Sequence, residues 1–296
     1  AMEWGPIMDL ATLIPLALKA GIVLTVFVLG LRASLQDATY LFRRPGQLAR
    51  SLLAMNVVMP LFAAAMIAVF DLHPAVEVAL IALAVSPIPP MLPKKALKAR
   101  GDASYTIGLL VAAALLAIVF VPLAVGLLGR AFGRPAQMSP AAVALVVAIT
   151  VLAPLAAGLL VRRMAPAFAE RSAKPISLVA SLLLLSVLPI LFTAMPAVVS
   201  LIGNGTLVAI VAFVLVGLAA GHLLGGPEPD DRTVLALTTS SRHPGVAIAI
   251  ASANFPEHKL VIAAILLYLL VNAIVSIPYR TWCSRRHTKM ANAIQK

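Results

Sequence analysis

The sequence predicts an all-α membrane protein with nine transmembrane helices, two of them interrupted. Of its 296 residues, 61% are hydrophobic and 11% charged, whereas about a quarter of the residues in soluble domains are charged. The apolar residues fall into runs of about 20, the length that crosses a bilayer. Lys and Arg give the chain a net charge of +12, but they lie mostly between these runs. This distribution indicates orientation in a membrane rather than nucleic-acid binding.

The apolar runs follow one another along the whole chain. The first is preceded by Glu3 and Asp9 rather than by basic residues, so we expect a span and not a cleaved signal peptide. The predicted bounds are 10–31, 51–70, 74–97, 104–128, 141–161, 176–195, 206–224, 233–254 and 260–277.

The segments after the odd-numbered spans hold most of the basic residues. They contain Arg32, Arg43, Arg44, Arg50, Lys94, Lys95, Lys98, Arg100, Arg162, Arg163, Arg171, Lys174, Arg232, Arg280, Arg285, Arg286, Lys289 and Lys296. The opposite side holds only Arg130, Arg134 and Lys259. Because basic loops stay in the cytoplasm, we expect the N-terminus outside and the C-terminus inside, in a bacterial-type inner membrane.

Two spans contain residues that break helices. The third has four prolines in SPIPPMLP at 86–93, and each proline removes a backbone donor and disturbs the preceding turn. The eighth has TTSSRHPG at 238–245, a polar run followed by a proline and a glycine. Exposed backbone survives inside a membrane only where it is buried in protein or lines a cavity.

These interrupted spans occupy corresponding places in two halves of the chain, 10–128 and 141–277. Paired interrupted helices that cross near the midplane form the binding site in transporters built from inverted repeats. Two independent proline kinks are the simpler alternative, but one proline is enough for a kink. The pattern therefore favours a transporter with its site at the crossing.

The chain resembles the bile acid:sodium symporter family over nearly its whole length. The resemblance is carried by LFRRP at 41–45, VMP at 58–60, SPIPPMLPKKALKARGD at 86–102, TTSSRHPGVA at 238–247 and ANF at 253–255. Members often have ten spans, and this chain is similar to the nine-span form. The resemblance implies substrate binding between a core (spans 2, 3, 4, 7, 8 and 9) and a panel (spans 1, 5 and 6).

The positions that match the family's sodium ligands are altered. Leu92 and Pro93 stand where the family has serine and asparagine, Thr238 where it has glutamate, and Met55, beside Asn56, where it has glutamine. Among the matching hydroxyl positions, one is kept as Thr106 and another is Leu110.

Acidic residues are also missing from the middle of every predicted span. The chain's acids are Glu3, Asp9, Asp37, Asp71, Glu77, Asp102, Glu170, Glu228, Asp230, Asp231 and Glu257, all in tails, loops or span ends. Sodium needs several oxygen ligands and usually a carboxylate. We therefore expect no sodium coupling by the family's mechanism.

Cationic groups lie at the predicted crossing instead. Arg242 and His243 fall at the break of the eighth span, and Lys94 follows the prolines of the third. Without an embedded acid, Arg242 needs backbone carbonyls, water or an anionic ligand. We expect a small organic anion as substrate and a proton as the candidate coupling ion. The candidate site comprises Arg242, His243, Ser240, Ser241, Thr238, Thr239, Lys94, Pro90, Pro93, Thr106 and Asn56.

Other classes fit less well. The sequence has no His-Glu-x-x-His motif and no embedded aspartate pair, so we expect neither an intramembrane enzyme nor a bound metal or cofactor. A passive anion channel and a metalloid exporter of related fold stay open. Metalloid exporters of that kind depend on a mid-membrane cysteine, whereas Cys283 is predicted in the C-terminal tail.

Overall fold

The computed structural model describes residues 10–131, 133, 136–203 and 205–294, and for 10–12 and 287–294 it describes the backbone alone. Glu3, Asp9, Arg134 and Lys296 therefore lie outside the described residues, as does the side chain of Lys289. Within those ranges the regular structure is helical. The helices of the spans are α1 Leu10–Arg32, α2 Pro45–Val69, α3a Pro74–Val85, α3b Leu92–Lys98, α4 Ala103–Ala131, α5 Pro140–Met164, α6 Pro166–Ser200, α7 Thr206–Leu224, α8a Pro229–Ser240, α8b Pro244–Asn254 and α9 Val261–Ile294.

Each predicted span corresponds to one helix or to one interrupted pair, which confirms the fold class. Seven continuous helices of the described chain are long and apolar enough to cross a membrane. The pairs α3a–α3b and α8a–α8b supply the other two candidates, so the count of nine stays a prediction.

Helix ends differ most from the sequence expectation. Many helices begin at a proline, which suits a first turn whose N–H groups have no helical acceptor. Thus α2 begins at Pro45 rather than at residue 51, and α6 begins at Pro166 rather than at 176. Helix α9 runs to Ile294, so Cys283 is buried in a helix and its expected place in a tail was wrong. Hydropathy marks the apolar part of a helix and misses polar turns that continue it.

Helices α1, α5 and α6 pack against one another. We call them the panel helices and the other helices the core helices; the division into two domains and two repeats stays a prediction. Helices α1 and α5 touch at two glycines, since a Cβ added at Gly30 would lie 2.4 Å from Leu155 O and one added at Gly158 2.3 Å from Phe27 O. Small residues let membrane helices approach this closely.

A glycine stripe on α7 brings α8a into its position. Gly217 and Gly221 of α7, and Gly225 directly after it, are spaced by four residues and face α8a. A Cβ at Gly221 would lie 2.4 Å from Ala236 Cα, and one at Gly225 2.5 Å from Arg232 Cα. The first half of the interrupted eighth span therefore lies directly on α7.

The panel helix α6 has a large exposed apolar face. Phe192 is 82% exposed, and Leu178, Leu182 and Leu188 on the same helix are also exposed. A continuous apolar surface of this kind is costly in water and favourable against lipid tails. The chain is a multi-pass membrane protein, and α6 belongs at its lipid boundary.

A carboxylate holds the link between α1 and α2 against α4. Ser104 Oγ donates to Asp37 Oδ1 (2.5 Å), and the Ser34 N–H donates to Asp37 Oδ2 (2.7 Å). Burial alone would raise the pKa of Asp37, but these hydrogen bonds outweigh burial and hold its pKa below the ordinary value.

Candidate functional site

The breaks of the two interrupted spans touch. Residues 86–91 separate α3a from α3b, and residues 241–243 separate α8a from α8b. The His243 N–H donates to Pro87 O at 2.9 Å, a hydrogen bond from one break to the other. On either side of this contact, α8b packs against α3a and α8a packs against α3b. The predicted crossing of spans 3 and 8 is therefore present.

Prolines leave two carbonyls near the crossing without helical donors. The groups that would donate to Ser86 O in a continued helix belong to Pro89 and Pro90, which have no N–H. In α2, residues Leu53–Val58 form a π-helix, in which a carbonyl accepts from the residue five positions later. For Met55 that residue is Pro60. Both carbonyl oxygens are thus available to other donors.

The guanidinium of Arg242 binds these two oxygens. Nη2 donates to Met55 O at 2.8 Å, and Nη1 donates to Ser86 O at 3.3 Å. The side chain is 1% exposed and forms no ion pair among the described residues. An arginine at a helix centre costs about 2.5–3.5 kcal/mol to insert. Two hydrogen bonds from a charged group contribute about 1.5–3 kcal/mol each, so the carbonyls can hold the charge.

The carbonyl at the end of α8a is held by two side chains of α9. Pro244 cannot donate to Ser240 O, which accepts instead from Tyr268 Oη (2.7 Å) and from Asn272 Nδ2 (2.8 Å). Neither residue was among the predicted site residues. Asn272 did carry a signal, since an amide within an apolar span marks an internal polar contact.

His243 points to a panel helix. Its Nδ1 accepts from the Val246 N–H (3.4 Å) and caps α8b. With Nδ1 as acceptor, the neutral ring carries its proton on Nε2. Nε2 lies 3.5 Å from Thr150 Oγ1, so the ring N–H donates to that hydroxyl, which belongs to the π-helix Ala148–Leu152 of α5.

Lys94 also reaches a panel helix. Its Nζ donates to Ser181 Oγ of α6 at 2.7 Å, and Ser181 Oγ in turn donates to Ser177 O at 2.7 Å. The lysine is half-buried and forms no ion pair within the described ranges. Nothing in the sequence singled out Thr150 or Ser181, because lone hydroxyls are common in apolar helices and usually bond to their own backbone.

Three of the predicted hydroxyl ligands bond to their own helix or segment. Thr238 Oγ1 donates to Val234 O (2.7 Å), Ser240 Oγ to Leu237 O (3.1 Å) and Thr106 Oγ1 to Asp102 O (2.5 Å). In this conformation, these hydroxyls stabilise backbone rather than a ligand.

The remaining predicted residues differ in their surroundings. Ser241 Oγ accepts from Asn272 Nδ2 at 3.4 Å, whereas the buried Thr239 Oγ1 has no partner in the described part of the chain. Asn56 is half-buried on the π-helix of α2. Pro90 and Pro93 are buried, and Pro90 acts through the donor it lacks.

Carboxylates are absent from the crossing as far as the structure describes it. The buried carboxylate of Asp231 lies in the first turn of α8a, where Oδ2 accepts from Gln47 Nε2 at 2.7 Å. No cluster of three or more His, Cys, Asp or Glu residues suitable for a metal ion occurs in the described ranges.

A cavity of about 180 Å³ lies away from the crossing. Its walls come from α2, α3a, α4 and the end of α8b, and they include Glu77, Gly129 and Phe255. The walls are mainly apolar, and none of the predicted site residues lines them.

Comparison with known families gives one match. The model of the Sodium Bile acid symporter family matches residues 19–200, which include α2 to α6 and the first interrupted span. The second interrupted span, with Arg242 and His243, lies beyond the matched residues. A search of curated proteins finds no match to this chain.

Proposed function

The chain belongs to the sodium bile acid symporter family, and from that premise we propose that this membrane transporter is a secondary carrier of an organic anion. Substrate binds between the core helices and the panel helices, and the two groups move relative to each other to open the site to either side. The coupling ion is a proton or absent, rather than sodium.

The observation that carries this proposal is the direction of two basic side chains. Lys94 and His243 leave the core crossing and hydrogen-bond to Ser181 and Thr150, which are neutral hydroxyls of the panel. No carboxylate of the described residues pairs with the lysine. Positive charge at a boundary without acidic partners favours an anion, which makes stronger hydrogen bonds to Lys94 than a hydroxyl does.

Independence of sodium is supported by the crossing itself. The buried carboxylate of Asp231 lies at the start of α8a, and Leu92 and Pro93 offer no side-chain oxygen. The freed carbonyls Met55 O and Ser86 O already accept from Arg242. While Arg242 is bound to these carbonyls, a sodium ion at this place would lack the oxygen ligands that it needs.

Transport in proteoliposomes tests the proposal. A set of organic anions is screened for saturable counterflow, with Na⁺, K⁺ and pH varied separately. Lys94→Ala should lower affinity for the transported anion roughly 10- to 100-fold, which corresponds to the loss of one charge-assisted hydrogen bond. Lys98→Ala is the matched control, because Lys98 lies one turn further along α3b and is exposed.

Three outcomes contradict the proposal. Equal affinity of the parent and Lys94→Ala would exclude the lysine from the site. Flux without saturation or counterflow would indicate a passive anion channel. Uptake that requires Na⁺ specifically would show that a sodium site has been rebuilt from other oxygens.

A further inference from the structure

We infer that Arg242 is a tethered cation, whose guanidinium permanently occupies a carbonyl site at the crossing that would otherwise take a free monovalent cation. This inference concerns the core alone and does not depend on which substrate is carried.

The first support is the source of the oxygens. Met55 O comes from the π-helix of α2, and Ser86 O comes from the break after α3a. Prolines remove the helical donors of both. Carbonyls released in broken helices are the groups that coordinate Na⁺ in many transporters. In this chain, prolines leave such carbonyls without helical donors on two different elements, and the side chain of Arg242 binds both.

The second support is the chemistry around the charge. Arg242 is 1% exposed, and its partners are backbone carbonyls rather than a carboxylate. Its Nε has no hydrogen-bond partner among the described residues. Near the same break, Asn272 binds Ser240 O and Ser241 Oγ, and its Oδ1 is buried without a described partner. The polar groups at this break thus include several oxygens that a cation can coordinate.

The consequence is a permanently filled site. A free ion occupies its site according to its concentration, so it joins elements only while it is bound. A guanidinium does not deprotonate in proteins and is attached to the chain. Arg242 therefore joins α2, the break of span 3 and the break of span 8 at every ion concentration. The core needs no bound alkali ion to keep its crossing together.

Thermal unfolding of purified protein in detergent tests this inference without any transport measurement. The parent should have one melting temperature in NaCl, KCl and choline chloride at constant ionic strength. Arg242→Ala should melt lower, and its melting temperature should rise saturably with millimolar guanidinium chloride or NaCl, because either cation can enter the vacated carbonyl site. Arg163→Ala loses the same charge at an exposed position of α5 and should show no such rise.

Each result of this experiment either supports or overturns the inference that Arg242 fills a cation site. A saturable cation response confined to Arg242→Ala supports the inference. Failure of this variant to yield monodisperse protein supports it only if guanidinium or sodium, present from solubilisation onward, restores the protein. If neither cation restores it, or if the folded variant responds like Arg163→Ala, the inference is overturned. A sodium-specific rise in the parent also overturns it, since the site would then be free.

Discussion

Arg242 and His243 are neighbours in sequence, but their side chains contact different groups of helices. The backbone of Ser241 and His243 is extended, and successive side chains of an extended segment point to opposite sides. Arg242 therefore points into the core, to Met55 O and Ser86 O, while His243 points to Thr150 of the panel. One break thus places a fixed charge inside the core and a titratable ring at its boundary.

The ring of His243 combines two roles that a substitution can separate. As Nδ1 acceptor it caps α8b, and as Nε2 donor it reaches Thr150. His243→Asn keeps an N-cap acceptor but has no ring that can take up a proton, so it should fold and should flatten the pH dependence of transport. His243→Ala loses the cap as well and should be destabilised by about 0.5–2 kcal/mol.

Uptake measured against pH, together with melting temperatures, distinguishes these roles. Thr150→Val is the matching variant on the panel helix α5, because it removes the hydroxyl that His243 reaches and keeps the shape of the side chain. If His243→Asn retains the parent's pH profile, the proton is carried elsewhere and the ring is only a cap.

The arginine was expected to face an anion, and its contacts now favour the role of a bound internal cation. Backbone carbonyls were one of the three kinds of partner expected for Arg242, and carbonyls are what it binds. Its role as an anion ligand stays an untested prediction. It would require the guanidinium to leave Met55 O and Ser86 O in another conformation.

At the scale of helices, the glycine stripe of α7 determines how closely α8a can approach. A Cβ at Gly221 would meet Ala236 Cα at 2.4 Å and Leu235 O at 2.4 Å, and backbone atoms cannot move aside as side chains can. Gly221→Ala should therefore destabilise the protein by about 1–3 kcal/mol or more. Separation of α7 from α8a would also shift Arg242, which lies two residues after the end of α8a.

Gly126→Ala on α4 is the control, because no atom lies within 4 Å of a Cβ added there. Alanine at an open helical position should be neutral or stabilise by about 0.5–1 kcal/mol. Melting temperatures of the purified variants, compared with the parent, measure both effects. Equal stability of Gly221→Ala and the parent would mean that α7 and α8a are less closely packed than described.

The sequence predicted those parts of the site that depend on backbone chemistry. Prolines at 87–93 and Pro244 predict two breaks, because the loss of an N–H acts locally wherever the chain lies. The contact of Lys94 with Ser181 could not be predicted in this way, since the residues are far apart in sequence and the direction of neither side chain follows from hydropathy. The π-helix around Met55 was missed for a similar reason, because its single extra residue leaves the apolar pattern unchanged.

At the scale of the whole molecule, the contacts within the core differ from the contacts between the core helices and the panel helices. Within the core, the crossing is held by the hydrogen bonds that Arg242 donates to Met55 O and Ser86 O and by the hydrogen bond from the His243 N–H to Pro87 O. Between core and panel, Lys94 and His243 each donate to one hydroxyl. Single hydrogen bonds contribute about 0.5–1.5 kcal/mol, or about 1.5–3 kcal/mol when one group is charged. Such contacts can open and close, as the proposed carrier mechanism requires.

The topology of the whole chain depends on whether the interrupted pairs cross the membrane. If α3a–α3b crosses, Asp71 and Lys98 lie on opposite sides; if it turns back, they lie on the same side. Glu228 and Glu257 bracket α8a–α8b in the same way, and all four residues are exposed. Basic residues favour the cytoplasm for the side that holds Lys98 and Glu228.

Single cysteines at these positions, on a Cys283→Ser background, test the nine-span arrangement with a thiol reagent that does not cross the membrane. In intact cells or right-side-out vesicles, Asp71→Cys and Glu257→Cys should react, whereas Lys98→Cys and Glu228→Cys should react only after permeabilisation. Arg171→Cys, exposed near the start of α6 on the side predicted to be cytoplasmic, should react in the same way as Lys98→Cys and Glu228→Cys. Labelling of Asp71→Cys and Lys98→Cys from the same side would make the third segment re-entrant. The freed carbonyls of residues 86–91 would then lie near one surface rather than at mid-membrane, where water could replace Arg242 as their partner.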